Sequence, residues 1–121
     1  MTGPIPILRV GRVLLATIQT ELRDNVANAF QQDVLLALER GAMAGLVIDI
    51  SGLETVDTYV ARVLADTGRM AKLMGVETVL VGMRPEIAAT LVRMGYAMEG
   101  VQTALNLQEG LAALRKKPRE E

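Results

Sequence analysis

Leu46-Val-Ile-Asp-Ile-Ser-Gly-Leu-Glu-Thr-Val-Asp-Thr-Tyr-Val-Ala-Arg62 runs from an apolar stretch through a short polar loop into a helical pattern. Apolar Leu46 to Ile50 reads as a strand covered on both faces, as in parallel sheets. From position 58 onward the period changes. With about 100° per residue over 58–74, Val60, Val63, Leu64, Thr67, Met70, Ala71 and Met74 share one face. Thr58, Arg62, Ala65, Arg69 and Lys72 share the other, so the Thr58 hydroxyl is expected to point away from the core.

Working outward, the same strand–loop–helix grammar repeats. Ile5 to Arg9 and Arg12 to Ile18 are rich in β-branched and alternating residues, and Gly11 between them supplies the turn of a hairpin. Thr20 is placed to cap a helix over 21–40, with Leu22, Val26, Ala29, Phe30, Leu36 and Leu38 as its apolar surface and Gly41 as its stop. Gly75 closes helix 58–74. Thr78 to Val81 is a further strand, and Pro85 opens a helix carrying Ile87, Leu91, Val92 and Met94 that ends at Gly95. Val101 to Ala104 reads as a short edge strand and Leu107 to Lys116 as a last helix. The alternation predicts an α/β fold with a mostly parallel sheet under helical cover.

Composition narrows the function classes. The chain has 121 residues, half of them hydrophobic, which suits one domain with a full core. Thirteen basic against fourteen acidic residues give a formal net charge of −1. That balance offers no broad field for nucleic acid or anionic lipid. There is neither cysteine nor histidine, which removes disulfides, thiolate nucleophiles, the usual general base and the commonest metal ligands. No metal or cofactor is expected. No apolar run approaches the ~20 residues that span a bilayer, and the first residues do not form a signal peptide. The expected setting is the cytoplasm.

Thr58 carries the chemistry. A phosphoryl group there would sit at the positive end of a helix dipole, with Arg62 one turn later as a partner, while Glu54 and Asp57 would resist an added dianion. Such a group would act as a switch. The competing reading is structural: Asp and Thr are ordinary helix caps, so Asp57 or Thr58 could simply satisfy free amides. The residues alone favour the capping reading, and a resemblance reverses the preference.

Asp49-Ile-Ser-Gly-Leu53 followed by Val56-Asp57-Thr58 resembles the signature of STAS domains, the fold of bacterial anti-sigma-factor antagonists. In that signature a strand ends in Asp, and a later Asp precedes a phosphorylatable Ser or Thr that opens a helix. The run Val56-Asp-Thr-Tyr-Val-Ala-Arg62 is most similar to the RsbS-type scaffold branch of the stressosome. Glu77-Thr-Val-Leu-Val-Gly-Met-Arg-Pro-Glu-Ile-Ala-Ala-Thr-Leu91 looks like the matching strand, loop and Pro-opened helix, so the resemblance covers nearly the whole chain. It implies a single STAS domain over 1–116, a mixed, mostly parallel sheet with an N-terminal β-hairpin and about four covering helices; the residues of 117–121 themselves read as a charged, disordered tail. It further implies phosphorylation at Thr58, with Asp49, Ser51, Glu54, Asp57, Tyr59 and Arg62 forming the switch loop and kinase contact. Its implied partners are RsbR-type STAS paralogues in a large hetero-oligomer, an RsbT-type serine/threonine kinase and an RsbX-type phosphatase. The chain would then be a scaffold and not an enzyme. One departure is that the branch usually has Ser where this chain has Thr58; the added methyl stiffens the side chain.

Other functional readings find less support. A free anti-sigma-factor antagonist shares the fold but not the run to Arg62. A small-ligand-binding STAS domain would have to work without a paired nucleophile and base or a Gly-rich phosphate loop. Asp49 could resemble the phosphoacceptor of a receiver domain, but no acidic residue precedes Glu21 to hold Mg²⁺; it is expected instead to order the next turn through backbone amides. Gly82 reads as a tight turn before a Pro-started helix, and the seven methionines read as core or interface filler.

Overall fold

In a computed structural model, the described residues are 5–19, 21–95 and 100–115. Five strands and four helices follow in the order β1 (Ile7–Val10), β2 (Val13–Thr17), α1 (Asp24–Glu39), β3 (Gly45–Asp49), α2 (Thr58–Leu73), β4 (Glu77–Val81), α3 (Pro85–Met94), β5 (Val101–Ala104) and α4 (Leu107–Arg115). The strands lie side by side in chain order. β1 pairs antiparallel with β2, and every later neighbour is parallel. Gly11, at φ +60°, makes the two-residue hairpin turn.

This order explains the apolar character of the central strands. Successive strands that advance in one direction through right-handed crossovers place their connecting helices on a single face. Accordingly, Leu14, Ala16, Ile18, Leu46, Ile48 and Leu80 form one core with Phe30, Val34 and Leu38 of α1, Val60 and Leu64 of α2, and Ile87 and Leu91 of α3. The opposite face, with Val47, Val79 and Val81, is closed by Leu107, Leu111 and Leu114 of α4. Because side chains alternate across a strand, β3 needs apolar residues at consecutive positions.

Several expectations are corrected. α1 begins at Asp24, not at 21, and its N-cap Arg23 makes no side-chain capping bond; the Thr20 cap lies outside the described residues, as does Lys116 and the tail. Leu22 is nevertheless buried, as part of the segment entering the helix. On α2, Ala65 is buried whereas Met70 and Met74 are exposed, because the helix is enclosed by the sheet and by α1 along an arc of small residues. The closest approach is at Gly68, where a Cβ would come within 2.3 Å of Val101 Cγ2. Leu36 and Val92 are exposed as well.

Candidate functional site

The carboxyl ends of parallel β3 and β4 deliver two loops to the same edge of the sheet, the edge where open α/β sheets carry their sites. The Ile50 N–H donates to Val81 O at 2.9 Å, which ties the first loop to the neighbouring strand. Asp49 Oδ1 accepts from the Ser51 N–H at 2.9 Å, and the Leu53 N–H donates to Ile50 O at 3.0 Å. Asp49 thus orders the turn as its position predicts. Leu53 is fully buried and anchors the loop from below.

Two glycines allow this packing. A Cβ at Gly52 would lie 2.7 Å from Ile18 O, so only glycine lets the loop rest on the end of β2. Gly82, with φ +77°, brings the second loop so near that a Cβ would sit 2.8 Å from Ser51 Cβ and 3.2 Å from Asp49 Oδ1. Arg84, the N-cap residue of α3, donates from Nε to Ser51 O at 3.0 Å. Sequence reasoning missed Arg84 as a member of the site. The available signal was its place at the end of the strand next to β3.

The helix start divides two duties between adjacent residues. Asp57 is the N-cap of α2, with extended backbone, and its Oδ1 accepts from the Val60 N–H at 2.8 Å. Thr58 is the first helical residue and is exposed. Its hydroxyl faces only a weak acceptor among the described bonds, Met94 Sδ at 4.0 Å. Asp57 therefore satisfies the Val60 amide, and the exposed Thr58 side chain is left at the positive end of the helix dipole. The capping reading and the phospho-acceptor reading apply to different residues and do not compete.

The rest of the set surrounds this point. Tyr59 lays its half-buried ring against the core and donates from its hydroxyl to Asn28 Oδ1 on α1 at 2.6 Å. Thr55 donates to Glu21 Oε1 at 2.8 Å, a second tie between the loop and the entry to α1. Glu54 is exposed on the loop, and Arg62 is exposed on α2 one turn beyond Thr58. Asp49 and Ser51 thus gather with Gly82 and Arg84, while Asp57, Thr58 and Tyr59 gather at the helix start. The exposed Thr58 hydroxyl thus sits at a capped helix start, where the amide dipoles favour an anion.

A family model described as the STAS domain matches residues 5–110. The chain belongs to the STAS domain family. Its sequence is 36% identical over 112 residues to the RsbT co-antagonist protein RsbRD of Bacillus subtilis, a match covering 93% of this chain and 40% of that protein. The chain thus spans well under half the length of such curated relatives. Among solved structures it is similar to a serine-to-glutamate variant of RsbS from Moorella thermoacetica, with 42% identity, a TM-score of 0.84, and coverage of 93% of this chain and 96% of that one. It is also similar to a chain in a structure of the stressosome, described there as a signal integration and transduction hub, with 40% identity, a TM-score of 0.77, and coverage of 91% and 96%.

Proposed function

We propose that this chain is a non-enzymatic scaffold and phospho-switch of a cytoplasmic bacterial stressosome, with Thr58 as its phosphoacceptor. The observation that carries the reading is the division of labour at the start of α2: Asp57 holds the Val60 amide while the Thr58 side chain stays exposed. Similarity to RsbS and to a stressosome chain over more than nine-tenths of both partners supports the assembly. Similarity to a co-antagonist of RsbT supports an RsbT-type kinase as the sequestered partner, and RsbR-type paralogues as neighbours in the hetero-oligomer.

In this reading the unmodified loop, with Asp49, Ser51, Glu54, Asp57 and Tyr59, forms the surface on which the kinase rests, and Arg62 either pairs with the phosphate or contacts the kinase. Phosphorylation adds a charge of about −1.5 to −2 beside Glu54 and Asp57, which opposes any partner surface docked there. A loss of about 1.4 kcal/mol weakens binding tenfold, so one misplaced dianion is sufficient for release into the stress-response pathway. An RsbX-type phosphatase restores the resting state.

The test is intact-mass spectrometry with site mapping after incubation with an RsbT-type kinase, ATP and Mg²⁺ in the presence of an RsbR-type partner. One phosphate on Thr58, absent from Thr58→Ala, is the expected result. Stoichiometric phosphorylation of Thr58→Ala would move the acceptor elsewhere. If Thr58→Ser is modified and the parent chain is not, the methyl group blocks the switch and the chain is a fixed scaffold.

A further inference from the structure

The chain contains no cysteine, so redox chemistry at sulfur falls to its methionines. Met43 is buried, whereas Met70 and Met74 are exposed on α2. Met94, the last residue of α3, is half-buried and packs against the core. It is set apart by what it touches: its Sδ accepts from the Thr58 hydroxyl across 4.0 Å.

A thioether is a weak acceptor, and a bond of this length holds the hydroxyl loosely. The lone pair of sulfur that receives a hydroxyl is also where an oxidant delivers oxygen. With both helices where they stand, an oxygen added on that side falls between the two atoms, about 2.5–3.0 Å from Thr58 Oγ1, the span of a good O–H···O bond. Oxidation thus turns an apolar neighbour of the hydroxyl into a polar acceptor. Thr58 is exposed, so a small oxidant can approach the sulfur from the hydroxyl side.

We propose that Met94 is an oxidation site whose sulfoxide captures the Thr58 hydroxyl and slows phosphoryl transfer to it. The oxidant is hydrogen peroxide. The Met94 sulfur attacks one peroxide oxygen, the O–O bond breaks as the S–O bond forms, and the other oxygen leaves as water carrying both protons. Sulfur is oxidised by two electrons and the peroxide is reduced. The sulfoxide oxygen then accepts the Thr58 proton. A kinase needs that same proton to pass to its own base as Oγ1 attacks the γ-phosphorus, so the hydroxyl must first leave the sulfoxide. The effect on phosphorylation rests on the reading of Thr58 as phosphoacceptor; the captured hydroxyl does not. Methionine sulfoxide reductases, one for each sulfoxide epimer, reverse the modification.

The test treats the parent, Met94→Leu and Met94→Gln proteins with hydrogen peroxide, removes it, maps oxidised residues by peptide mass spectrometry, and then adds the kinase of the proposed switch with ATP and Mg²⁺. Expected are oxidation at Met94 and a fall of about fivefold in the parent's phosphorylation rate, the worth of about one hydrogen bond. Reductase treatment should restore the rate. The rate of Met94→Leu should be the same before and after peroxide, which excludes Met70 and Met74 as the cause. Met94→Gln carries an acceptor oxygen permanently and should be slow without oxidant. Equal slowing of the parent and Met94→Leu overturns the proposal, as does a parent oxidised at Met94 yet not slowed, or a Met94 that stays reduced while Met70 and Met74 oxidise. A second measurement needs no kinase: peroxide should lower the urea midpoint more in Thr58→Ala than in the parent, because the sulfoxide there has lost its donor. If that difference is present and the untreated parent takes no phosphate, the phospho-switch reading fails while the captured hydroxyl is upheld. If the difference is absent, the proposal fails whatever the kinase does.

Discussion

Two strand-to-helix junctions lie side by side at the carboxyl edge of this sheet, and they are built in opposite ways. β4 reaches α3 through residues 82–84, with a left-handed glycine, a proline in the first helical turn and no side-chain cap. β3 reaches α2 through residues 50–57, with a buried leucine under the loop and an aspartate cap. The short junction takes its shape from backbone geometry, with no side-chain cap at its helix start. The long one is held by side chains, and it carries the exposed hydroxyl. The tight connection acts as a wall against which the longer loop is positioned, and Gly82 and Arg84 are where the two touch.

The largest stability effect should come from thickening that wall. Gly82→Val places a β-branched residue at φ +77° with its Cβ 2.8 Å from Ser51 Cβ. Strain and clash together should cost about 3 kcal/mol, read as a lower urea midpoint at unchanged slope. If Gly82→Val unfolds within about 0.5 kcal/mol of the parent, the loops are not held in contact in solution. Next in size is the cap. Asp57→Ala should lose about 1 kcal/mol, and Asp57→Asn, which keeps the acceptor oxygen, much less. Equal losses would mean that charge, not the hydrogen bond to Val60, is what Asp57 contributes.

How much of this was legible beforehand differs between the two junctions for physical reasons. The elements of both could be read because glycine, proline and apolar period mark them locally: the Pro85 start and the Gly95 stop lie where the pattern puts them, and each strand is found within two residues of its expected bounds. The turn made by Asp49 was legible because an Asx side chain acts on amides two residues away. Contacts across the chain were not. Neither the Gly52 approach to Ile18 nor the Arg84 bond to Ser51 has a signature in its own segment. The breadth of the buried face of α2 was missed for a related reason. Ala65 and Gly68 are buried because they are small enough for close approach, which a scale of hydrophobicity does not register. Conversely, Leu36 and Val92 carry helical apolar spacing but are more than half exposed.

A smaller effect tests the contact between the junctions. Arg84 is exposed, and water can replace its donation to Ser51 O, so Arg84→Met should cost only about 0.5 kcal/mol. Amide hydrogen exchange should nevertheless quicken over 51–55 while α2 retains its protection. Unchanged exchange there would show that Gly82 packing alone holds the loop.

The smallest expected effect is the most informative one. Thr58 is exposed, does not cap α2, and sits where alanine is a good helix former. Thr58→Ala should therefore shift stability by no more than about 0.5 kcal/mol in either direction, while removing the only hydroxyl that opens this helix. Its neighbour Asp57 should behave in the reverse manner, losing stability on substitution but leaving the acceptor atom in place. Thermal unfolding and phosphate incorporation measured on the same two proteins separate the roles: a stability loss confined to Asp57→Ala and a phosphorylation loss confined to Thr58→Ala is the expected crossed pattern. If Thr58→Ala instead destabilised the protein by as much as Asp57→Ala, the hydroxyl would be a structural group of the helix start. The long junction would then differ from the short one in packing but not in function.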